Sequence, residues 1–150
     1  MHSVAALLQG TLYWTSPSGR AVVDALAACG GAYGTAQFLA ARVGLRDRHR
    51  VARTLARDGL PPLEELAAWV RTLVWVMQSE QYGTPLYRMA SQTHVDPATC
   101  YRIVWRLTGA NWSEVRERGA AWVLQQLCGR CQIRDVSEPA HVWRFNWVSG

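Results

Sequence analysis

The chain comprises 150 residues, 49% hydrophobic and 18% charged, enough apolar material for one sizeable core or two small ones and too much for a disordered tail. Its 16 basic groups outnumber 11 acidic ones, giving a net charge of +5, and every basic group is arginine. No window of about 18 uninterrupted apolar residues occurs, because Arg71 breaks the richest stretch, Leu66 to Met77, and this argues against a membrane span.

Met1 to Leu8 hold no basic residue ahead of a short apolar run and no cleavage motif follows, so a signal peptide is not expected and a cytoplasmic location is. The cysteines, Cys29, Cys100, Cys128 and Cys131, are spaced too unevenly for a small secreted disulfide framework and are expected to be reduced. Charge is distributed unevenly: residues 35–59 carry +4, 60–83 carry −2 and 84–118 carry +2. An all-arginine set suits bidentate contacts to phosphates and base edges, although coding bias produces the same composition.

In chain order, Ser16-Pro17 predicts the start of a helix with Val22, Val23 and Leu26 inside, ended after Cys29 by Gly30-Gly31. Thr35 then caps a short helix with inner residues Ala36, Leu39, Ala40 and Val43, and Gly44 supplies a turn. A further helix runs from about Asp47 to Arg57 and stops at Asp58-Gly59, before Leu60-Pro61-Pro62. Leu63 to Gln78 reads as one long helix, with a stripe of Leu63, Leu66, Ala67, Val70, Val74 and Met77 thickened by Trp69, Leu73 and Val76. At 1.5 Å per residue it spans roughly 24 Å.

The pattern then repeats. Thr84-Pro85 is expected to form an N-cap and a first-turn proline, with Leu86, Met89, Ala90 and Thr93 each 50 residues after an inner residue of the first copy. Asp96-Pro97 starts a helix that ends at Thr108-Gly109, and Gly109 again follows Gly59 by 50 residues. Matching the inner faces of the second helices pairs Val51 with Cys100 and Leu55 with Val104, an offset of 49, which predicts a turn one residue shorter in the second copy.

At 100° per residue, Arg46, Arg50, Arg53 and Arg57 share one stripe, opposite Val51 and Leu55. A solvated face is the plain alternative, but the like-charge pairs cost on the order of 1 kcal/mol, which a polyanion would offset. In the second copy Cys100, Ile103, Val104 and Leu107 face inward, while Ala98, Thr99, Tyr101, Arg102, Trp105 and Arg106 face outward. Exposed rings at Tyr101 and Trp105 are expected to pack on a partner.

These residues resemble the AraC/XylS-type transcriptional regulators over about residues 16–127. The resemblance is carried by Leu39-Ala40 through Gly44-Leu45, by Asp96-Pro97 through Arg102 to Thr108-Gly109, and by Ser113-Glu114-Val115-Arg116. His94 stands in the turn region where that family favours glycine, and Trp112 stands where it has a proline, which the first copy keeps as Pro62. The resemblance implies an all-α fold: an N-terminal segment (1–15), a first helix-turn-helix subdomain (16–62), a connecting helix (63–79), a second subdomain (80–127) and a short irregular or extended C-terminal tail (128–150). It also implies a sequence-specific regulator that binds double-stranded DNA in adjacent major-groove segments about 34 Å apart. Arg46 and Arg50 are assigned to guanine edges, Arg53 and Arg57 to backbone, and Arg48 and His49 complete that helix's DNA-facing set. Thr35 and Thr84 are assigned to phosphates, Ala98 and Thr99 to a thymine methyl, and Arg102, with Tyr101, Trp105 and Arg106 beside it, to reading or clamping. RNA polymerase, a separate sensor protein and a second copy of the chain are further expected partners, since 150 residues leave no room for a sensor domain.

The rival reading is a helical protein-interaction module in which Tyr101, Trp105 and Trp112 form an aromatic patch and the basic stripe meets an acidic protein. Cys128-Gly129-Arg130-Cys131 with His141 lacks a second ligand pair and follows a helical stretch, which disfavours both zinc and thioredoxin-like chemistry. His2, His49, His94 and His141 have no nucleophile and carboxylate nearby in sequence, and no glycine-rich phosphate loop is present, so no enzyme, cofactor or metal is expected. Trp143, Phe145 and Trp147, alternating with Arg144 and Asn146, read as a short strand or extended peptide.

Overall fold

A computed structural model describes residues 3–132, and within them the fold is all-α. The helices are α1 (Val4–Thr11), α2 (Pro17–Ala28), α3 (Ala36–Arg42), α4 (Arg48–Arg57), α5 (Leu63–Tyr82), α6 (Leu86–Gln92), α7 (Pro97–Thr108), α8 (Trp112–Arg118) and α9 (Ala120–Arg130). The strand expected around Trp143 to Trp147 lies outside the described residues, as do His2 and His141. No helix among the described residues is long and apolar enough to cross a membrane.

Helix starts follow side-chain chemistry. Ser16, Thr35 and Asp47 accept hydrogen bonds from the backbone amides of Gly19, Phe38 and Arg50, at 3.1, 3.1 and 3.0 Å, each satisfying a first-turn donor that has no partner within the helix. Thr84 departs from expectation. The first helical bonds of α6 are accepted by the Pro85 carbonyl, from Arg88 and Met89, so Pro85 is itself the N-cap and Thr84 lies one residue outside without a capping bond. Proline is tolerated there because its own N–H would find no partner.

The two helix pairs α3/α4 and α6/α7 end and turn alike. The amide of Leu45 bonds the Ala40 carbonyl (2.8 Å) and that of Val95 bonds the Ala90 carbonyl (3.1 Å), while Gly44 and His94 bond Ala41 and Ser91. Both turns pass through the left-handed region, at φ 75° for Gly44 and 57° for His94. Glycine adopts this freely; histidine is among the residues that tolerate it. Four residues separate α6 from α7 where five separate α3 from α4, the shortening expected from the offset of 49. Burial matches across the copies at Leu39 and Met89, Ala40 and Ala90, Val51 and Cys100, and Leu55 and Val104, all enclosed. It does not match at the ends of the first helices: Ala36 is half-buried where Leu86 is enclosed, and Thr93, expected inside, is exposed where Val43 is half-buried, its hydroxyl donating to the Met89 and Ala90 carbonyls. Gly59 and Gly109 close α4 and α7 at the same φ of 71°.

Helix α5 contacts α1, α2, α4, α6, α7, α8 and α9. Its 20 residues span about 30 Å, one turn longer than the sequence periodicity suggested. Its buried faces also differ from the predicted stripe. Leu66, Ala67, Val70, Trp69, Leu73 and Val76 are enclosed as expected, but Leu63, Val74 and Met77 are only half-buried, whereas Glu65, Thr72, Trp75 and Ser79 are buried. Glu65, Trp69, Thr72, Val76 and Ser79 form one stripe at helical spacing. Helices α1 and α9, unplaced from sequence, add to the cover of α5 and pack on one another. Helix α9 continues through Cys128 to Arg130, so the segment expected to be an irregular tail from residue 128 begins as helix.

Candidate nucleic-acid interface

Helix α4 has an amphipathic division. Val51, Thr54 and Leu55 are buried, while Arg46 in the preceding turn and Arg48, His49, Arg50, Arg53 and Arg57 on the helix are exposed. Among the described residues the side chains of Arg46, Arg48, Arg50 and Arg53 make no hydrogen bond or ion pair. Asp47, the nearest carboxylate, is held below the usual carboxylate range chiefly by the Arg50 backbone amide, assisted by His49 and Arg46. It therefore caps the helix as an anion.

Arg57 differs from the other three arginines of the stripe. Its guanidinium donates to Ser16 Oγ (3.2 Å) and lies 3.8 Å from the Asp58 carboxylate, so it is tied to the base of α2. Asp58 organises that junction. Its Oδ2 accepts from the Ser16 amide (3.0 Å) and hydroxyl (2.7 Å), and its carbonyl accepts from Trp14 Nε1 (2.7 Å). A buried carboxylate with several donors is retained because its charge is satisfied.

Helix α7 carries the matching outward face. Ala98, Tyr101, Arg102, Trp105 and Arg106 are exposed and Thr99 is half-buried, with Trp105 57% exposed. Thr35 is exposed at the start of α3 and Thr84 half-buried before α6. Trp112 does not join Tyr101 and Trp105 in an exposed patch: it is 7% exposed at the start of α8, where Asn111 caps the helix through the Glu114 amide. As the first residue of a seven-residue helix, Trp112 turns inward with Val115, and both are buried. The aromatic surface of α7 is thus Tyr101 and Trp105, one turn apart.

Several features escaped the sequence reading. Glu65 is 1% exposed; its Oε1 accepts from Arg130 Nε (3.2 Å) and weakly from Trp69 Nε1 (3.4 Å), and its Oε2 has no partner among the described residues. Burial pushes its carboxyl above the usual range, opposed by Arg130 and Trp69. A glutamate four residues before a tryptophan in an apolar helix was the available signal. The two cysteines of the Cys128–Cys131 motif sit at the end of α9, and burial, with Cys128 and Glu65 nearby, pushes the Cys131 thiol up to about 12. Among the described residues no group of three or more histidine, cysteine, aspartate or glutamate side chains is placed to hold a metal.

No protein-family model, curated protein or solved structure matches the chain.

Proposed function

We propose that the chain is a sequence-specific, double-stranded DNA-binding transcriptional regulator built like the AraC/XylS-type module. On this reading α3/α4 and α6/α7 are two helix-turn-helix units, α5 connects them, and α4 and α7 enter successive major-groove segments. The observation that carries the reading is the repeated helix pair with equivalent turn hydrogen bonds and equivalent burial of the four enclosed pairs, each copy presenting arginines on its outer face. The like charges of α4 are a cost to the isolated protein that phosphates remove, because neutralising DNA phosphates releases condensed counterions. Arg46 and Arg50, nearest the start of α4, are the base readers. Arg53 holds backbone, and Arg57 contributes less because Ser16 and Asp58 already engage it. On α7, Ala98 and Thr99 meet a thymine methyl and Arg102 reads or clamps, flanked by Tyr101, Trp105 and Arg106.

Selection of bound sequences from a random duplex pool, followed by salt titration of the winner, tests this. Arg53→Ala is expected to weaken binding to all duplexes and to reduce the magnitude of the log K against log salt slope by about 0.9. Arg50→Ala is expected to relax preference at one position of the site, at about 1–3 kcal/mol. Unchanged affinity and slope in both variants would defeat the proposal.

A second reading, a helical module that docks an acidic protein, draws on the exposure of Tyr101 and Trp105 beside Arg102 and Arg106. It is weakened by the burial of Trp112, which removes one of its three aromatic anchors. Salt-sensitive duplex binding by the chain alone separates the two.

A further inference from the structure

We infer that a cleft between α5, α7 and the loop joining α2 to α3 is a binding site for a small monoanionic ligand, a carboxylate carried on a flat apolar body. The cleft is half open to solvent and has a volume of about 540 Å³. That lies within the range of small-molecule sites. Its walls come from three separate parts of the chain: Tyr33 from the loop, Glu64, Ala68 and Arg71 from α5, and Ile103 and Arg106 from α7.

Arg71 is the reason to expect an anion. It is half-buried and lines both this cleft and a smaller one of about 140 Å³ that shares Ala32 with it. It acts electrostatically on Tyr33 on one side and Cys100 on the other, yet among the described residues it has no hydrogen-bond acceptor and no ion-pair partner. A half-buried arginine whose guanidinium donors have no acceptor is a ready bidentate partner for a carboxylate. Arg46, Arg50 and Arg53 differ from it because they are exposed and line neither cleft.

The rest of the lining sets the ligand's size and charge. Glu64 and Arg71 lie seven residues apart on one face of α5, about 10 Å along its axis, and Arg106 of α7 adds a second guanidinium to the lining. The Tyr33 hydroxyl is influenced by the first two: burial and Glu64 raise its pKa while Arg71 lowers it, so at neutral pH it is a phenol able to donate or accept. Two arginines, Arg71 and Arg106, against the single carboxylate of Glu64 leave the lining with one net positive charge, which matches a ligand bearing one carboxylate. Beside these polar groups, Ala67, Ala68 and Ile103 are apolar, and Gly31 and Gly34 present backbone without side chains. A wall of alanine and glycine has no projecting groups, so a planar ring can lie against it. Gly31 cannot be enlarged without cost: its φ is +86°, and a Cβ there would come within 2.5 Å of the Ala67 carbonyl.

This site stands apart from the DNA-binding proposal, because its occupancy is read directly without DNA. The test is a two-dimensional amide NMR titration of the full chain with 2-naphthoate, with neutral 2-naphthamide as the isosteric control. Expected are saturable shifts centred on Gly31, Gly34, Ala68 and Ile103, with Kd about 1 mM or tighter for this untuned probe. Naphthamide is expected to bind at least about tenfold more weakly, and Arg71→Gln to abolish that preference for the charged probe. Arg71→Gln removes no intramolecular hydrogen bond, so its amide spectrum should otherwise stay that of the parent. Ala68→Phe, which fills the cleft while leaving Arg71, is expected to block both probes. Absence of saturable shifts, shifts centred elsewhere, equal binding of the two probes, or a charged-probe preference that survives Arg71→Gln would each overturn the assignment.

Discussion

Gly59 and Gly109 close equivalent helices at an identical φ of 71°, but their surroundings differ, and this allows the docking of the chain beyond α9 to be weighed. Nothing lies within 4 Å of a Cβ built on Gly109. Gly109→Ala therefore carries only the left-handed backbone penalty, about 1–2 kcal/mol. A Cβ on Gly59 would collide with the backbone carbonyl of Gln132, whose amide donates to the Gly59 carbonyl at 2.7 Å. Backbone cannot swing aside as a flexible side-chain end can. Gly59→Ala thus adds the loss of that hydrogen bond, about 1 kcal/mol net, and the lifting of the segment that keeps Cys131 at 9% exposure. The total should be about 2–4 kcal/mol. Urea unfolding followed by tryptophan fluorescence and circular dichroism reads both variants on one scale, with unchanged m-values certifying the comparison. In a chain ending at Arg130 the extra cost of Gly59→Ala should vanish, leaving the two glycines equivalent. Equal destabilisation in the full chain, within about 0.5 kcal/mol, would refute the reasoning.

Three more outcomes follow from buried groups. Glu65 has its folded pKa above its unfolded value, so the folded state holds the proton more tightly; stability should decline as pH rises from about 4.5 to the folded pKa and level off above it, and Glu65→Gln should flatten that decline in a pH series of unfolding curves. Gly19→Ala places a methyl group against the Asp58 carboxylate and should destabilise by about 1–3 kcal/mol through loss of the Ser16–Asp58 junction, measurable as a Tm drop of several degrees, whereas Gly10→Ala, which meets nothing within 4 Å, should not. Cys131, pushed up to about 12, and Cys100, also raised by burial, should resist iodoacetamide in the native protein at pH 8 while alkylation at Cys29 or Cys128 proceeds; equal labelling of all four would contradict the assigned burial.

The parts of the fold that were legible were those whose signals are local. Caps at Ser16, Thr35 and Asp47, glycine stops at 44, 59 and 109, and the 50- and 49-residue offsets all arise from neighbouring residues, and the helices appear where those signals stand. The second-copy turn was legible despite His94 because the Ala90 to Val95 bond needs only one residue at positive φ. What could not be read was long-range. Helix α1 has an apolar composition with no charged residue to mark a face, and its burial is decided by contacts with α2, α5 and α9. The burial of Trp112 and Glu65 likewise depends on which helices cover them. For the candidate site, exposure of the α4 and α7 outer faces followed from helical periodicity, but the engagement of Arg57 with Ser16, 41 residues earlier, did not. The cleft at Arg71 was invisible for the same reason, since its walls come from three segments brought together only by folding.

The placement of acidic residues around α4 bears on why its charge is left standing. Two carboxylates flank the stripe, and both are already committed. Asp47 accepts the Arg50 amide as an N-cap, and Asp58 holds Ser16 at the start of α2 while drawing in only Arg57. Arg46, Arg50 and Arg53 are consequently without ion pairs among the described residues. A helix needing only solubility would scatter both signs along its face, since opposite charges at i, i+4 stabilise by a few tenths of a kcal/mol where like charges cost the same. Replacing Arg50, in the first turn of α4, by glutamate inverts that balance: it puts a carboxylate at the positive end of the helix dipole and three residues before Arg53, gains that outweigh its repulsion with Asp47. Arg50→Glu should therefore raise thermal stability slightly at low salt, by about 0.5 kcal/mol, and on the proposed function should abolish duplex binding. A variant more stable and still bound to DNA would separate the stripe from recognition; one that is less stable would show that the repulsion on this helix is not what its geometry implies.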